Sequence, residues 1–319
     1  MKSSKHIFGA ILILVCFCVG IPSAFALTIS PVKIEVTGDP GQTLRGELEL
    51  LNEQVGTKTF FSSFENFEPS GDTGSPKFVG ADDGLATWLV TEASVAVATG
   101  ETVKVPYTIT IPPNTEPGGY FAAIFWGEQD PATQVAGEVA IGGKLGVLIL
   151  LRVAGDIVED AGVSDFNFSD ETKFKSVLPL TFTYRFSNSG GDRVVPLGDI
   201  TVTNTFGLET AVLSANVNEG SVLPGSARKF QAIWGQTAGT SSLGFLGTAK
   251  AQFSDFHFGL YKANLAVVYG STNQTAASSF WFFIFPWQLL TVCLLLLILV
   301  IMALKKYNSW IISKSKSNA

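Results

Sequence analysis

Along most of the chain apolar and polar side chains alternate. In "ETVKVPYTITIPP", Val103, Val105, Tyr107, Ile109 and Ile111 fall at one parity, and Thr102, Lys104, Thr108 and Thr110 at the other. That is the pattern of a strand with one buried face. "QTLRGELEL" places Leu44, Leu48 and Leu50 inward and Arg45, Glu47 and Glu49 outward. "LPLTFTYRF" does the same with Leu180, Phe182, Tyr184 and Phe186, and "YKANLAVVY" with Tyr261, Ala263, Leu265 and Val267. Pro40-Gly41, Thr99-Gly100, Gly190-Gly191 and Pro224-Gly225 punctuate these runs as turns. No helical period of useful length stands outside the two ends of the chain. Short strands at this spacing predict an all-β sandwich or barrel.

One stretch departs from alternation. In "IPPNTEPGGYFAAIFW", Pro112 and Pro113 end a strand, because proline cannot serve an interior ladder, and Pro117-Gly118-Gly119 makes a turn. Tyr120 to Trp126 is then apolar at both parities, as a strand covered on both faces should be. "KLGVLILLRV" reads the same way, and sequential strands usually pair. Parity puts Tyr120, Ala122, Ile124 and Trp126 on one face and Phe121, Ala123 and Phe125 on the other. One face of each strand fills the core. Phe121, Phe125, Leu148 and Leu150 form the outer set, with register able to reverse either strand. An apolar outer face needs cover. Either the 127–143 segment or the second half of the chain supplies it, or a partner protein docks there, which makes these four the candidate partner-binding residues.

The ends are different in kind. Lys2 and Lys5, the apolar run from Ile7 to Val19, and Ala24-Phe25-Ala26 form a secretory signal over 1–26, with Leu27 as the first mature residue. Phe280 to Leu304 carries no charge, and at about 1.5 Å per residue it exceeds a hydrocarbon core of ~30 Å. Trp281 and Trp287 lie at its start and Tyr307 and Trp310 beyond its end, as an aromatic belt would. Lys305, Lys306, Lys314 and Lys316 follow, which places the tail in the cytoplasm by the positive-inside rule. The expected protein is single-pass, type I. Its expected segments are a signal at 1–26, immunoglobulin-like β-sandwiches at 27–155 and 156–272 in tandem, a linker at 273–280, a transmembrane helix at 281–304 and a basic tail at 305–319.

Composition then narrows the chemistry. Of 21 Lys and Arg, two precede Leu27 and four follow Leu304, leaving 15 against 27 Asp and Glu in the ectodomain, near −12. Such a surface does not draw nucleic acid by its field. The ectodomain has no cysteine, since Cys293 lies in the apolar run, so core burial alone must hold it. One histidine, His257, remains after the signal. Metal sites with His/Cys ligands and thiol catalysis are thereby excluded, and no cofactor is expected. Ser254, Asp255 and His257 are too close along the chain to assemble a triad readily. Glu47 and Glu49 share the wet face of a strand and read as solvated side chains. Asp72, Asp82 and Asp83, in "SGDTGSPKFVGADDG", fit no calcium-loop spacing. Asn167 and Asn273 open sequons, meaningful only in a eukaryotic secretory path. An enzyme is not expected.

The segment "WLVTEASVAVATGETVKVPYTITIPPNTEPGGYFAAIFW", followed by a gap and "KLGVLILLRVAG", resembles the first extracellular domain of WxL-interacting proteins of bacterial surfaces, and "LTISPVKIEVTGDPGQTLRGELELLNE" fits the start of that domain. The resemblance implies an immunoglobulin-like, PapD-like sandwich assigned to peptidoglycan binding. "FSNSGGDRVVPLGDITVTNT" to "LYKANLAVVYG" resembles the second domain of the family, assigned to host or partner binding. The C-terminal apolar run with its Lys tail matches as well, and no LPxTG wall-sorting signal is present. No family ligand-binding residue maps onto a position here. The implied protein binds peptidoglycan or another surface protein. A membrane-tethered chaperone, lending a strand edge to exported clients, is the alternative.

Overall fold

The computed structural model describes residues 27–131, 143–235 and 244–317; the expected signal segment lies outside them. The chain divides into two compact units. One holds the described residues up to Phe67 with Phe78–Glu116 and Tyr120–Ala154; the other holds Glu68–Lys77, Pro117–Gly119 and the described residues from Gly155 onward.

The first unit is a sandwich of two sheets. One runs β1 (Leu27–Ser30), β3 (Thr43–Asn52), β8 (Thr102–Thr110), β6 (Leu89–Thr91). The other runs β2 (Lys33–Gly38), β10 (Lys144–Val153), β9 (Gly118–Gly127), β4 (Lys58–Ser70), β5 (Ser75–Gly80), with β7 (Ser94–Val97) also on β4. The first strand changes sheet at Pro31: β1 pairs antiparallel with β3, whereas β2 pairs parallel with β10. The expected inward rows are the core. Leu48, Leu50, Val105, Tyr107, Ile109 and Ile111 are buried, and they meet Ala122, Ile124, Trp126, Val147, Ile149 and Leu151 from the opposite sheet. Gly41 and Gly100 adopt φ of 81° and 72° in the turns before β3 and β8, a region that costs glycine little.

The second unit is also a two-sheet sandwich. β11 (Ala161–Phe168), β13 (Leu180–Asn188) and β16 (Ser226–Trp234) face a sheet ordered β12 (Phe174–Lys175), β18 (Gln274–Ile284), β17 (Gly259–Tyr269), β14 (Leu197–Asn204), β15 (Glu209–Ser214). Its core is aromatic: Phe168 stacks on Phe182 at 4.9 Å and meets Phe280 and Phe282 edge-on at 5.1 and 4.9 Å. Among the described residues the fold is thus all-β, two sandwiches, with one long apolar helix, α2 (Trp287–Ser317), at the C-terminal end.

Two expectations fail here. Residues 274–284 are not a linker and the start of a span; they are β18, paired along its whole length with β17. Phe280, Phe282 and Ile284 are buried in the sandwich, and helix begins only at Trp287, after Pro286. An unbroken apolar run hides this junction, because a core strand and a span are equally free of charge; proline marks it. The second failure is a missed helix, α1 (Phe245–Ser254). Gly247 and Thr248 lower its intrinsic propensity, and its apolar positions show little periodicity. Tertiary contacts hold it: Gln252 and Ala249 are buried, and Gln252 bonds to the first turn of α2.

Candidate interaction surfaces

The candidate chemistry of the sequence disperses in space. Ser254 closes α1, and among the described residues no hydrogen bond links it to His257. The His257 ring lies 3.3 Å from Asp255 Oδ1 through Nδ1 and edge-on to Trp234 at 4.9 Å. Glu47 and Glu49 both stand on the exposed face of β3, each 3.8 Å from Lys104 Nζ. Asp72 pairs with Arg185 at 2.8 Å, while Asp83 uses its carbonyl to accept from Asn66. Among the described residues no group of three or more potential ligands could hold a metal.

The four outer residues of β9 and β10 do share one face. Phe125 and Leu150 are buried, at 6% and 4% exposure, and Phe121 and Leu148 are half-buried. Rings from the neighbouring strands of the same sheet meet the two phenylalanines. Phe67 of β4 sits 5.8 Å from Phe121, and Phe78 of β5 sits 4.8 Å from Phe125. Lys144 Nζ stands 4.3 Å from the Phe125 ring centre, a cation over an aromatic face. Gly146 leaves room for that ring, since a Cβ there would approach it to 2.7 Å. The sequence offered neither Phe67 nor Phe78 as cover. Of the segment expected to supply it, 132–142 lies outside the described residues.

At the end of the same strands is a cleft of about 310 Å³. Leu27, Phe60, Trp126 and Leu145 give it apolar walls, and Gln54, Glu128 and Lys144 add polar groups. The Glu128 carboxylate accepts from Gln54 Nε2 at 2.6 Å and from Lys58 Nζ at 3.1 Å, and these bonds hold it below its ordinary range. Lys144 pairs with Glu65 at 2.5 Å. The Trp126 indole N–H is buried with no partner among the described residues, an uncompensated donor beside the cleft. The sequence signal that could have found this place is the end of the doubly apolar strand, where "FWGEQ" passes from core residues to a carboxylate.

A further surface feature is α2. From Trp287 to Ile312 no residue is buried, and the helix is long and apolar enough to cross a membrane.

No protein-family model matches the chain, and no curated protein does. Solved structures are similar at low identity. The class 5 fimbriae chaperone CfaA aligns with a TM-score of 0.40 and 10% identity over 80% of this chain and 98% of that one. The E. coli chaperone DraB aligns at 0.34 and 13% over 80% and 95%. PapD-like domain 7 of human CEP192 aligns at 0.30 and 17% over 44% and 92%.

Proposed function

We propose that this is a non-enzymatic, membrane-anchored surface protein whose first sandwich unit binds peptidoglycan or a partner surface protein. In this reading α2 spans the membrane once and the lysines from Lys305 onward lie in the cytoplasm, so both sandwich units stand outside. The Lys bias of the tail supports the type I orientation. A single histidine and no cysteine between Leu27 and Ser279 support the absence of catalysis.

The observation that carries the binding reading is the cleft at the end of β9 and β10. Apolar walls with one amide, one carboxylate and one ammonium at hand suit an occupant that carries both methyl groups and amides, as a peptide or peptidoglycan stem does. Leu145, 43% exposed, is the wall residue that can change without cost to the core. The test uses the full chain in lipid nanodiscs. Wild-type protein should co-sediment with purified peptidoglycan, or should form a protein adduct in cells when a photo-crosslinker replaces Leu145. Leu145→Asp should weaken the sedimentation. Absence of both sedimentation and adduct would overturn the reading.

A second reading, the tethered assembly factor, draws on β5. It is an edge strand with Val79 45% exposed, open to pairing with an added strand. Adducts formed from position 79, and not from 145, would favour it.

A further inference from the structure

We propose that α1 and the aromatic side chains around it form an interfacial platform: the outer stripe of α1 lies in the headgroup region of the membrane leaflet that α2 enters. The proposal rests on α2 being a membrane span.

The first ground is the joint between the two helices. Gln252, 1% exposed, accepts the Leu289 N–H through Oε1 at 2.8 Å. Its Nε2 donates to Gln288 Oε1 at 2.5 Å and to the Ser176 carbonyl at 2.9 Å. Leu289 contributes one of the first N–H groups of α2, which have no partner within their own helix. Gln252 therefore caps α2 from a neighbouring element. Phe245 stands 5.7 Å from Trp287, beside that joint. Whatever depth the first turn of α2 takes, α1 takes with it.

The second ground is that depth. Trp287 to Leu304 is 18 residues without a charge, ended by Lys305 and Lys306. At about 1.5 Å per residue this is ~27 Å, no longer than a hydrocarbon core of ~30 Å. With the lysines at one headgroup layer, Trp287 cannot stand clear of the other. The side chains packed beside Trp287 are then at the interface too.

The third ground is what α1 presents outward. Leu246, Lys250 and Phe253 are spaced i, i+4, i+7, and so form one stripe. Leu246 is 72% exposed and Phe253 75%, with Phe256 just beyond the helix at 57%. Apolar side chains this exposed, grouped at the root of a span, match an interfacial helix, and a lysine among them can keep its ammonium in the headgroups while its stem lies along the apolar layer. The ectodomain is acidic, so its field does not draw it to anionic lipid. Contact is by insertion of apolar side chains and should be indifferent to salt.

The test places an environment-sensitive fluorophore on single cysteines in the full chain, with Cys16, Cys18 and Cys293 replaced by serine, in phosphatidylcholine nanodiscs. Labels at Phe253→Cys, at Leu297→Cys within α2, and at Thr275→Cys are compared. Thr275 is exposed on β18, about 30 Å along the strand from Ile284. Iodide probes water access, and lipids brominated near the headgroup end of the acyl chain probe contact with the bilayer. The expected result is that the 253 label is quenched by the brominated lipid and shielded from iodide relative to 275, unchanged by added salt or by anionic lipid. Leu246→Asp should reduce that shielding. A 253 label as open to iodide as 275, with 297 still in lipid, would overturn the platform and leave the span intact. A 253 label shielded from iodide yet untouched by brominated lipid would also overturn it, and would point to a protein occupant. A 297 label open to iodide would instead overturn the span, and the platform with it.

Discussion

Asn188 shows how much one buried amide can organise. It closes the inward row of β13, after Phe182, Tyr184 and Phe186, and is 1% exposed. Its Nδ2 donates to the carbonyls of Asp192 and Val222 at 2.8 and 2.9 Å, and its Oδ1 accepts from Gly190. Asn52 plays the same part at the end of β3, bonding Gly56 and Val97. Asn188→Ala would take away the acceptor of the Gly190 N–H and one donor each from the Asp192 and Val222 carbonyls, at a cost of about 1–3 kcal/mol, read as a lower urea midpoint. Glu159 works by charge. Burial pushes its carboxyl up, and hydrogen bonds from Ser271 and Thr272 more than reverse this, leaving it at about 2. A carboxyl lowered on folding stabilises the fold above its unfolded value and loses that contribution as pH falls toward the folded one. The melting temperature should therefore fall between about pH 4.5 and 2, and Glu159→Gln should show a smaller fall over that interval. Periodicity marks neither Asn188 nor Glu159, because both bond across loops.

At the scale of elements, β9 and β10 show what a strand covered on both faces requires. One face of each enters the sandwich core; on the other, Phe67 and Phe78 from β4 and β5 meet Phe121 and Phe125 of β9. Phe125→Ser combined with Leu150→Ser should destabilise the unit by several kcal/mol, since each is a buried truncation costing about 2–5 kcal/mol. Chemical denaturation measures this, and an unchanged midpoint would contradict the burial. β18 gives the sharper case. Phe282 is 1% exposed between Phe168 and Tyr261, at 4.9 and 5.7 Å, within a strand. Phe282→Asp should unfold the second unit, seen as gained protease sensitivity, while the chain still resists carbonate extraction through α2. Were 282 part of the span, the reverse pattern would appear.

At the scale of the whole molecule, one strand and one helix meet at Phe285-Pro286, where the sandwich ends and the apolar helix starts. A type I arrangement predicts that the mature chain begins at Leu27 and that protease added outside intact cells leaves the Lys305–Lys316 tail whole. Mass spectrometry of the purified protein and an antibody to the tail check both. A chain that keeps Met1, or a tail clipped from outside, would contradict the arrangement.

The sequence by itself determined the strands with one wet face. Alternation in β3, β8, β13 and β17 names the buried residues directly, because side-chain period and burial are the same fact in a half-exposed sheet. For β9 it offered Ala122, Ile124 and Trp126 as one of two possible inward faces, and the structure places that face in the core. Only the tertiary structure decided what covers Phe121 and Phe125, since a period of two carries no information once both parities are apolar. It alone located the end of β18, because pairing with β17, and not composition, separates a core strand from a span. It alone revealed α1, a helix of weak propensity held by the bonds of Gln252 to α2. In each case the missing information lay in a contact between residues distant along the chain, which local pattern cannot encode.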